Sequence, residues 1–504
     1  MKQPGCAIGA DIGTTTVKAV AFDTTGHEIA RAEATLALTH SEEGAAEQDP
    51  IEVYASVSQT IGQAARQAQA RGFSVERVGL SAAMHSLLPV DRADRPLMAA
   101  MTWMDTRAKE EAQSLWDSPA GRDLYARTGT PIHPMAPLPK LLWLRRARPQ
   151  VFASAARFVS LKEWVWRQWF GAWEVDASIA SATGLYNLRE GGWDQGALEL
   201  AGISADRLST IVPTTTTKRG AQGAWTAQAG IGEDVAFTIG ASDGVLANLG
   251  VGSISGDQMV MTIGTSCAVR SGSATPFTDP ATRSFCYVLD RDRFIVGGPS
   301  NNGGIVIDWL YHSVLSGRDS NAPAEPIDQA AFLALMRRAE QAHSDPELIC
   351  LPYVAGERAP LWNASARAAC VGLHLEHTAA DVMRAAVEGV IMNAYWIASG
   401  LFGALGQPRQ IVASGKVLEP EWIRRLTADV FGIPVLYRGA VDASVVGAVT
   451  LSEIATGVRA WDDVAQYPLT SEYTAEPSGS DFYKRKYERF RAVADLVLGG
   501  RAGG

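Results

Sequence analysis

The sequence predicts an α/β protein of two domains, each built on a mixed sheet flanked by helices. Three observations predict it. At 504 residues the chain is too long for one ordinary core. Strand patterns precede helical ones in both halves, the order of α/β domains. A Gly/Thr-rich hairpin opens each half: Ile12-Gly13-Thr14-Thr15 stands beside Ile263-Gly264-Thr265-Ser266. That repeat points to two related domains facing a common cleft. Hairpins pair antiparallel, so the sheets are expected to be mixed rather than purely parallel.

In chain order, the small apolar residues 6–10 read as a strand that ends at Asp11, and Gly13 to Thr16 turn it into a return strand, Val17 to Phe22. Pro50 to Ala70 reads as a helix. Val78 to Ser81 is a short strand running into Met84-His85. Residues 104–149 read as helical, broken by the Pro-rich stretch Gly129 to Pro139. Val235 to Gly240 is a strand that leads into Asp243-Gly244. The Gly/Ser-rich stretch Gly250 to Gly256 marks the domain boundary. The expected division is therefore 1–250, 251–480 and a C-terminal tail, 481–504.

In the second half, Gln258 to Arg270 repeats the hairpin, and a glycine-dense segment follows at residues 297–304. Asp381 to Tyr395 places Val382, Met383, Ala386, Val387, Val390, Ile391 and Ala394 at helical spacing. Residues 411–432 read as strand, a glycine turn at Gly415, and helix. The tail is polar and then basic, with a Gly- and Arg-rich end expected to fray.

Composition narrows the function. Hydrophobic residues make up 47% and charged residues 20%, an ordinary globular balance. A net charge of -9 speaks against nucleic acid or an anionic membrane as the main partner. The uncharged run Gly389 to Pro408 has the length to reach across a bilayer. Asn393, Gln407 and several glycines interrupt it, and it continues an amphipathic helix, so it reads as buried core. The five cysteines form no CxxC pair and read as buried thiols of a reducing compartment. No secretory leader is legible at the start. A cytoplasmic protein is expected.

The residues that attract attention suit phosphoryl transfer, which needs phosphate donors, a metal and an oriented hydroxyl. Gly13 permits a tight turn, and the amides and hydroxyls of Thr14, Thr15 and Thr16 can face phosphate oxygens. Asp11 can bind Mg²⁺ directly or through water, with Lys18 a nearby cation. An ordinary hairpin turn carries the same residues. Gly264-Thr265 is the candidate second phosphate loop, and Thr262 stands where the first hairpin has Asp11. Two carboxylates facing a triphosphate repel it, whereas one is bridged by Mg²⁺. Asp243, at a strand's carboxyl end, is placed to take a hydroxyl proton; a helix N-cap is the competing role. His85 can hydrogen-bond a polyol, and Trp103 can cover its apolar face while Asp105 accepts its hydroxyls. A buried histidine and a packing tryptophan explain the same residues, and Arg107 can simply pair with Asp105. Gly298, Asn302, Gly303, Gly415 and Lys416 are candidates to pack against a nucleotide base. There is no GxxxxGK[ST] run and no protein-kinase signature, so neither of those classes applies.

These pieces together resemble the FGGY carbohydrate kinases of the actin-like ATPase superfamily. The resemblance runs from GADIGTTTVKAVAFD to DASVVGAV and covers almost the whole chain. MAPLPKLLWLRR is similar to the family's first signature, and AACVGLHLEHTAADVMRAAVE to its second, with Cys370 where another apolar residue is usual. ASGKVLEPEWIRRLTADVFGIPV is similar to the adenosine-side segment, with Ala413 and Ser414 replacing part of a usual glycine run.

The resemblance implies two ribonuclease-H-like domains around a central cleft, with sugar in the first, catalytic domain and ATP mainly against the second. It implies Asp243 as the catalytic base, Asp11 to Thr15 and Gly264-Thr265 as phosphate loops, and Met84-His85, Trp103 and Asp105 on the sugar side. ATP and Mg²⁺ are the implied cofactors. The segments SAAMHSLLPVD, ARTGTPIHPMAPLPKL and VDASIASATGLYNL are most similar to the family's gluconate-phosphorylating branch. That branch implies a cation for a carboxylate, with His133, Lys140, Arg107 and Lys162 all open. Xylulose kinases, with Met-His-Gly where this chain has Ser86, are the alternative within the family. An actin-like ATP-binding structural protein is the alternative outside it. A homodimer fits a chain of this size and family.

Overall fold

The computed structural model describes residues 3–315, 327–438, 442–466, 473–479 and 481–499. Two mixed sheets organise it. The first has six strands in the order Thr217–Lys218, Ala236–Ser242, Ser74–Ala82, Gly5–Ile12, Thr16–Asp23, Glu28–Thr35. The second has seven: Phe285–Asp290, Arg293–Ser300, Cys267–Ser273, Gln258–Ile263, Gln410–Ser414, Val435–Tyr437, Tyr473–Ala475.

Each expected hairpin sits at the centre of its sheet. Gly5–Ile12 pairs antiparallel with Thr16–Asp23 and parallel with Ser74–Ala82. Gln258–Ile263 pairs antiparallel with Cys267–Ser273 and parallel with Gln410–Ser414. In both sheets a third antiparallel strand flanks the hairpin on one side and two parallel strands follow on the other. The short repeat in the turns is thus the visible trace of a repeated sheet. Parallel pairing also sets the site, because the carboxyl ends of Gly5–Ile12, Ser74–Ala82 and Ala236–Ser242 lie along one edge of the first sheet. Asp11, Met84-His85 and Asp243 follow from that edge.

The helix Pro50–Ala70 covers one face of the first sheet. Asp49 caps it, accepting from the Ile51 amide at 2.8 Å, and Pro50 pre-sets its first turn. Val53, Val57, Ile61, Ala64 and Ala68 bury the inner stripe. The other face is covered from the far end of the sequence, by the helix Ala443–Ala455. Glycines allow this approach. A Cβ at Gly79 would lie 2.0 Å from the Ala448 carbonyl oxygen, and one at Gly9 would lie 2.4 Å from that of Val445. Gly447 makes a similar close approach to Leu246, in the helix Asp243–Gly250. Helix backbone therefore rests almost directly on sheet backbone, and residues beyond 251 complete the core of the first unit.

In the second unit the helix Ala379–Leu405 contains the expected periodic stretch and buries Met383, Val387, Val390, Ile391 and Ala394. The apolar run is core as far as Leu401 and then leads into an exposed helix end and turn. Two expectations differ from the structure. The segment taken as a tail forms the helix Phe482–Val497, with Phe490 fully buried and Lys486 paired to Glu388 at 2.5 Å. Its polar sequence conceals one apolar stripe. Residues 500–504, expected to fray, lie outside the described residues. The cysteines also divide: Cys6, Cys267 and Cys286 are buried thiols, but Cys350 and Cys370 are joined by a disulfide. They stand opposite each other in the antiparallel pair Ile349–Leu351 and Ala369–Val371, with Cα atoms 4.4 Å apart. Such close cross-strand pairs occur at non-hydrogen-bonded sites, and a sequence separation of 20 residues hides this one.

Candidate active site

Asp243 is the first residue of the helix Asp243–Gly250, immediately after the strand Ala236–Ser242. The strand carries an irregularity between Thr238 and Ala241, at Gly240 with φ +74°, where any Cβ would collide with the Leu80 carbonyl. The bulge re-aims the strand end. The Asp243 side chain does not cap the helix; its Oδ1 accepts only from the neighbouring Gly244 amide, at 2.6 Å. Burial, and then the charge of Asp11, push its carboxyl up to about 7, against the opposing pull of Arg270 and Lys162.

Asp11 accepts hydroxyl bonds from both halves of the chain: Ser81 Oγ at 2.6 Å and Ser444 Oγ at 3.0 Å. Burial raises its carboxyl as well. Lys18, the expected local cation, is drawn away to Asp442 at 2.9 Å. Among the described residues no cation lies within ion-pair distance of Asp11. A half-buried carboxylate at a strand end, held by two hydroxyls, fits an oxygen ligand for Mg²⁺, directly or through water.

Two cavities meet at Asp243. One, of about 340 Å³, is lined by Asp11, Lys18, Thr262, Ser414, Gly415 and Ser444. The other, of about 190 Å³, is lined by Met84, His85, Trp103, Tyr287, Ser266 and Arg358. Asp243, Gly244 and Arg270 line both. His85 holds a left-handed backbone, φ 70°. Its Nδ1 lies 2.7 Å from the Ala182 carbonyl and therefore carries the proton, while Nε2 faces the Tyr287 hydroxyl at 3.4 Å. Burial holds its pKa down at about 3. The ring is thus neutral, with a lone pair available to a hydroxyl. Trp103 is fixed by its Nε1–H, which donates to Thr14 Oγ1 at 2.9 Å.

A hydroxyl-lined cleft and a small mixed cavity, joined at one high-pKa aspartate, suit a kinase acting on a polyol. Sequence comparison agrees. Residues 6–250 match the N-terminal domain of the FGGY family of carbohydrate kinases, and residues 259–456 match its C-terminal domain. The chain belongs to the FGGY family of carbohydrate kinases. The gluconokinase of Bacillus subtilis (strain 168) is 37% identical over 471 residues, covering 93% of this chain and 91% of that protein. Two solved structures from Lactobacillus acidophilus, a ligand-bound xylulose kinase and a gluconate kinase, each superpose with a TM-score of 0.92 at 30% identity over 99% of both chains. The protein is an ATP-dependent carbohydrate kinase.

In this FGGY kinase several anticipated residues stand apart from both cavities. Asp105 is fully buried, and its carboxylate is taken by Arg107 at 2.6 Å and by the Ala46 amide at 3.2 Å. His133 accepts from the Met135 amide and stands edge-on to Trp362, with burial holding its pKa down at about 3. Gly298 packs against Ile397 and Ala359, where a Cβ would come within 2.6 and 2.8 Å. Asn302 donates to the Gly356 carbonyl and to buried Glu357. Gly303 backs the turn at Gly264 to Ser266 rather than an open surface. Lys416 donates to the Ile327 carbonyl at 2.9 Å. Gly13, Thr14 and Thr15 form the first hairpin turn, with the Gly13 amide bonded to the Thr16 carbonyl; Gly264 and Thr265 form the second, and their carbonyls accept from Gly304 and Ile305. Sequence reasoning missed Arg270, Arg358, Tyr287, Ser81 and Ser444. Arg270 alone carried a signal, a charge on the return strand of a hairpin already singled out.

Proposed function

We propose that this kinase transfers the terminal phosphoryl group of Mg·ATP to the terminal hydroxyl of D-gluconate, giving 6-phospho-D-gluconate, in the cytoplasm. One observation carries the reading of the reaction: Asp243 borders both the sugar-sized cavity and the phosphate cleft. The attacking hydroxyl lies in the smaller cavity against Asp243. As its oxygen bonds to phosphorus, the proton passes to the Asp243 carboxylate and ADP departs. A pKa near 7 suits a base that works at neutral pH. Asp11 holds Mg²⁺, which when bound offsets the charge of the β- and γ-phosphates. The hairpin turns border the cleft from outside its lining, and with the Gly13 and Gly264 amides bonded within the turns it is Thr14, Thr15 and Thr265 that offer amides and hydroxyls to phosphate oxygens, with Gly415 on the adenosine side. Neutral His85 accepts a sugar hydroxyl through Nε2, Met84 packs beside it, and the Trp103 ring lies along the carbon chain.

Gluconate is favoured over xylulose by the 37% identity to a gluconokinase and by the surplus positive charge in the smaller cavity, where Arg270 and Arg358 accompany one carboxylate. A panel of gluconate, xylulose and glycerol in a coupled ADP assay tests the reading. Gluconate is expected to lead by at least tenfold in kcat/KM, and a clear preference for xylulose overturns it.

A further inference from the structure

A sugar acid brings a permanent negative charge into the cavity, at the opposite end of the chain from the hydroxyl that attacks. A carboxylate removed from water needs a cation with free donors beside it. The following assignment rests on the sugar-acid reading above.

Most cations near the cavity are already committed. Arg107 is divided among Asp105, Glu47 and Glu42 at 2.6–2.7 Å. Lys140 spends its three hydrogens on the carbonyls of His85, Thr102 and Met135, at 2.7, 2.6 and 2.8 Å. Lys162 is paired with buried Asp176 at 2.6 Å, and Lys18 with Asp442. His85 and His133 are neutral. None of the four groups left open by the sequence, His133, Lys140, Arg107 and Lys162, lines the smaller cavity.

Arg270 and Arg358 both line it. Arg270 Nη1 and Arg358 Nε are buried without a hydrogen-bond partner, and among the described residues neither guanidinium forms an ion pair. Arg358 follows Glu357 in sequence, which suggests a local pair. Yet the Glu357 carboxylate is filled by Ser300 Oγ, Asn302 Nδ2, Asn393 Nδ2 and the amides of Asn301 and Arg358. The Arg358 guanidinium instead lies over the Trp103 ring, 5.3 Å from its centroid, and donates one bond to the Ser300 carbonyl at 3.2 Å. Each arginine feels burial as the main opposition to its charge, and Arg270 adds to that opposition at Arg358. Guanidinium does not shed its proton to escape such a site. An anion between the two relieves both the repulsion and the empty donors, and paired guanidiniums suit a planar carboxylate.

The geometry points to Arg270 and Arg358 as a guanidinium pair that holds the carboxylate of an aldonic acid and sets the enzyme's preference for acids over neutral polyols.

The test compares D-gluconate with D-glucitol, which replaces the carboxylate by a hydroxymethyl group. The enzymes are wild type, Arg270→Gln, Arg358→Gln and Arg358→Lys, each checked for folding by thermal melt and for ATP binding. Wild type is expected to favour gluconate by at least 10²-fold in kcat/KM. Each Gln variant should lose about 10²-fold more on gluconate than on glucitol, mostly in KM, so that discrimination collapses. Arg358→Lys keeps the charge and recovers part of the preference, which a purely structural role would not predict. If a Gln variant loses both substrates equally, or keeps the wild-type preference, the pair assignment is overturned while the sugar-acid reading stands. If wild type itself does not favour gluconate over glucitol, the sugar-acid reading fails.

Discussion

The charge on Asp11 is, after burial, the second cause that holds the Asp243 carboxyl up at about 7. Asp11 lies on one strand of the first sheet, Asp243 opens the helix that follows another strand of it, and both line one cleft. Their relationship makes the base sensitive to whatever neutralises Asp11.

That coupling gives a pH profile. The active base is the unprotonated form, so kcat/KM for the sugar should rise with pH through an inflection near 7 and level off above it. Saturating Mg²⁺ removes the field of Asp11 and should move the inflection to lower pH than limiting Mg²⁺ does. Steady-state rates at the two metal concentrations, from pH 5 to 9, check this; a profile flat across neutrality contradicts it.

Asp243→Asn should lower turnover by about 10²–10⁴-fold while leaving ATP binding largely intact. Single-turnover rates and nucleotide titration separate the two effects.

The same substitution has an opposite effect on stability. The folded-state pKa of Asp243 lies above the ordinary carboxylate value, so the native state retains a proton that the unfolded chain releases from about pH 4 upward. The associated stability is present below pH 4 and is lost as pH rises through 7. Asn never ionises. The variant should therefore melt with wild type near pH 4 and several degrees above it at pH 8, without ligands, as read by scanning fluorimetry.

Gly79→Ala should loosen the junction between the halves. Its Cβ would press on the Ala448 carbonyl, at a cost of about 1–3 kcal/mol, and would lift the helix that carries Ser444 away from Asp11. Urea unfolding and the KM for Mg·ATP should both worsen.

Lys486→Met should cost about 1–3 kcal/mol, because it removes one of the two cations, Lys486 and Arg384, that hold buried Glu388. Denaturant titration measures the loss. A neutral result would mean that the terminal helix is not part of the second core.

The repeat of sheet and turn was legible because hairpin chemistry is local: Gly13 and Gly264 each announce a turn between two short apolar runs. Asp11 and Asp243 were legible as strand-end carboxylates, and the family resemblance gave them roles. Arg358 was not, because nothing in the order Glu357-Arg358 reveals that the glutamate is satisfied by Ser300, Asn302 and Asn393. Asp105 misled for the opposite reason: its neighbour Arg107 does take its carboxylate. The division at 250 rested on composition, and composition cannot show that a helix some 190 residues later returns to cover the first sheet. The Cys350–Cys370 bond was invisible for the same reason, since only the register of two short strands brings the thiols together.

The returning helix, Ala443–Ala455, bears on how the polypeptide can be divided. A fragment ending at residue 250 would carry the paired strands of Gly9 and Gly79 with their glycine-lined groove open to water, and with Ala7, Val20 and Phe22 bare beside it. Such a fragment would be sticky and marginal alone, and would recover a native surface only when the complementary fragment was co-expressed. The two halves are repeats in architecture, but the groove makes the first an obligate client of the second.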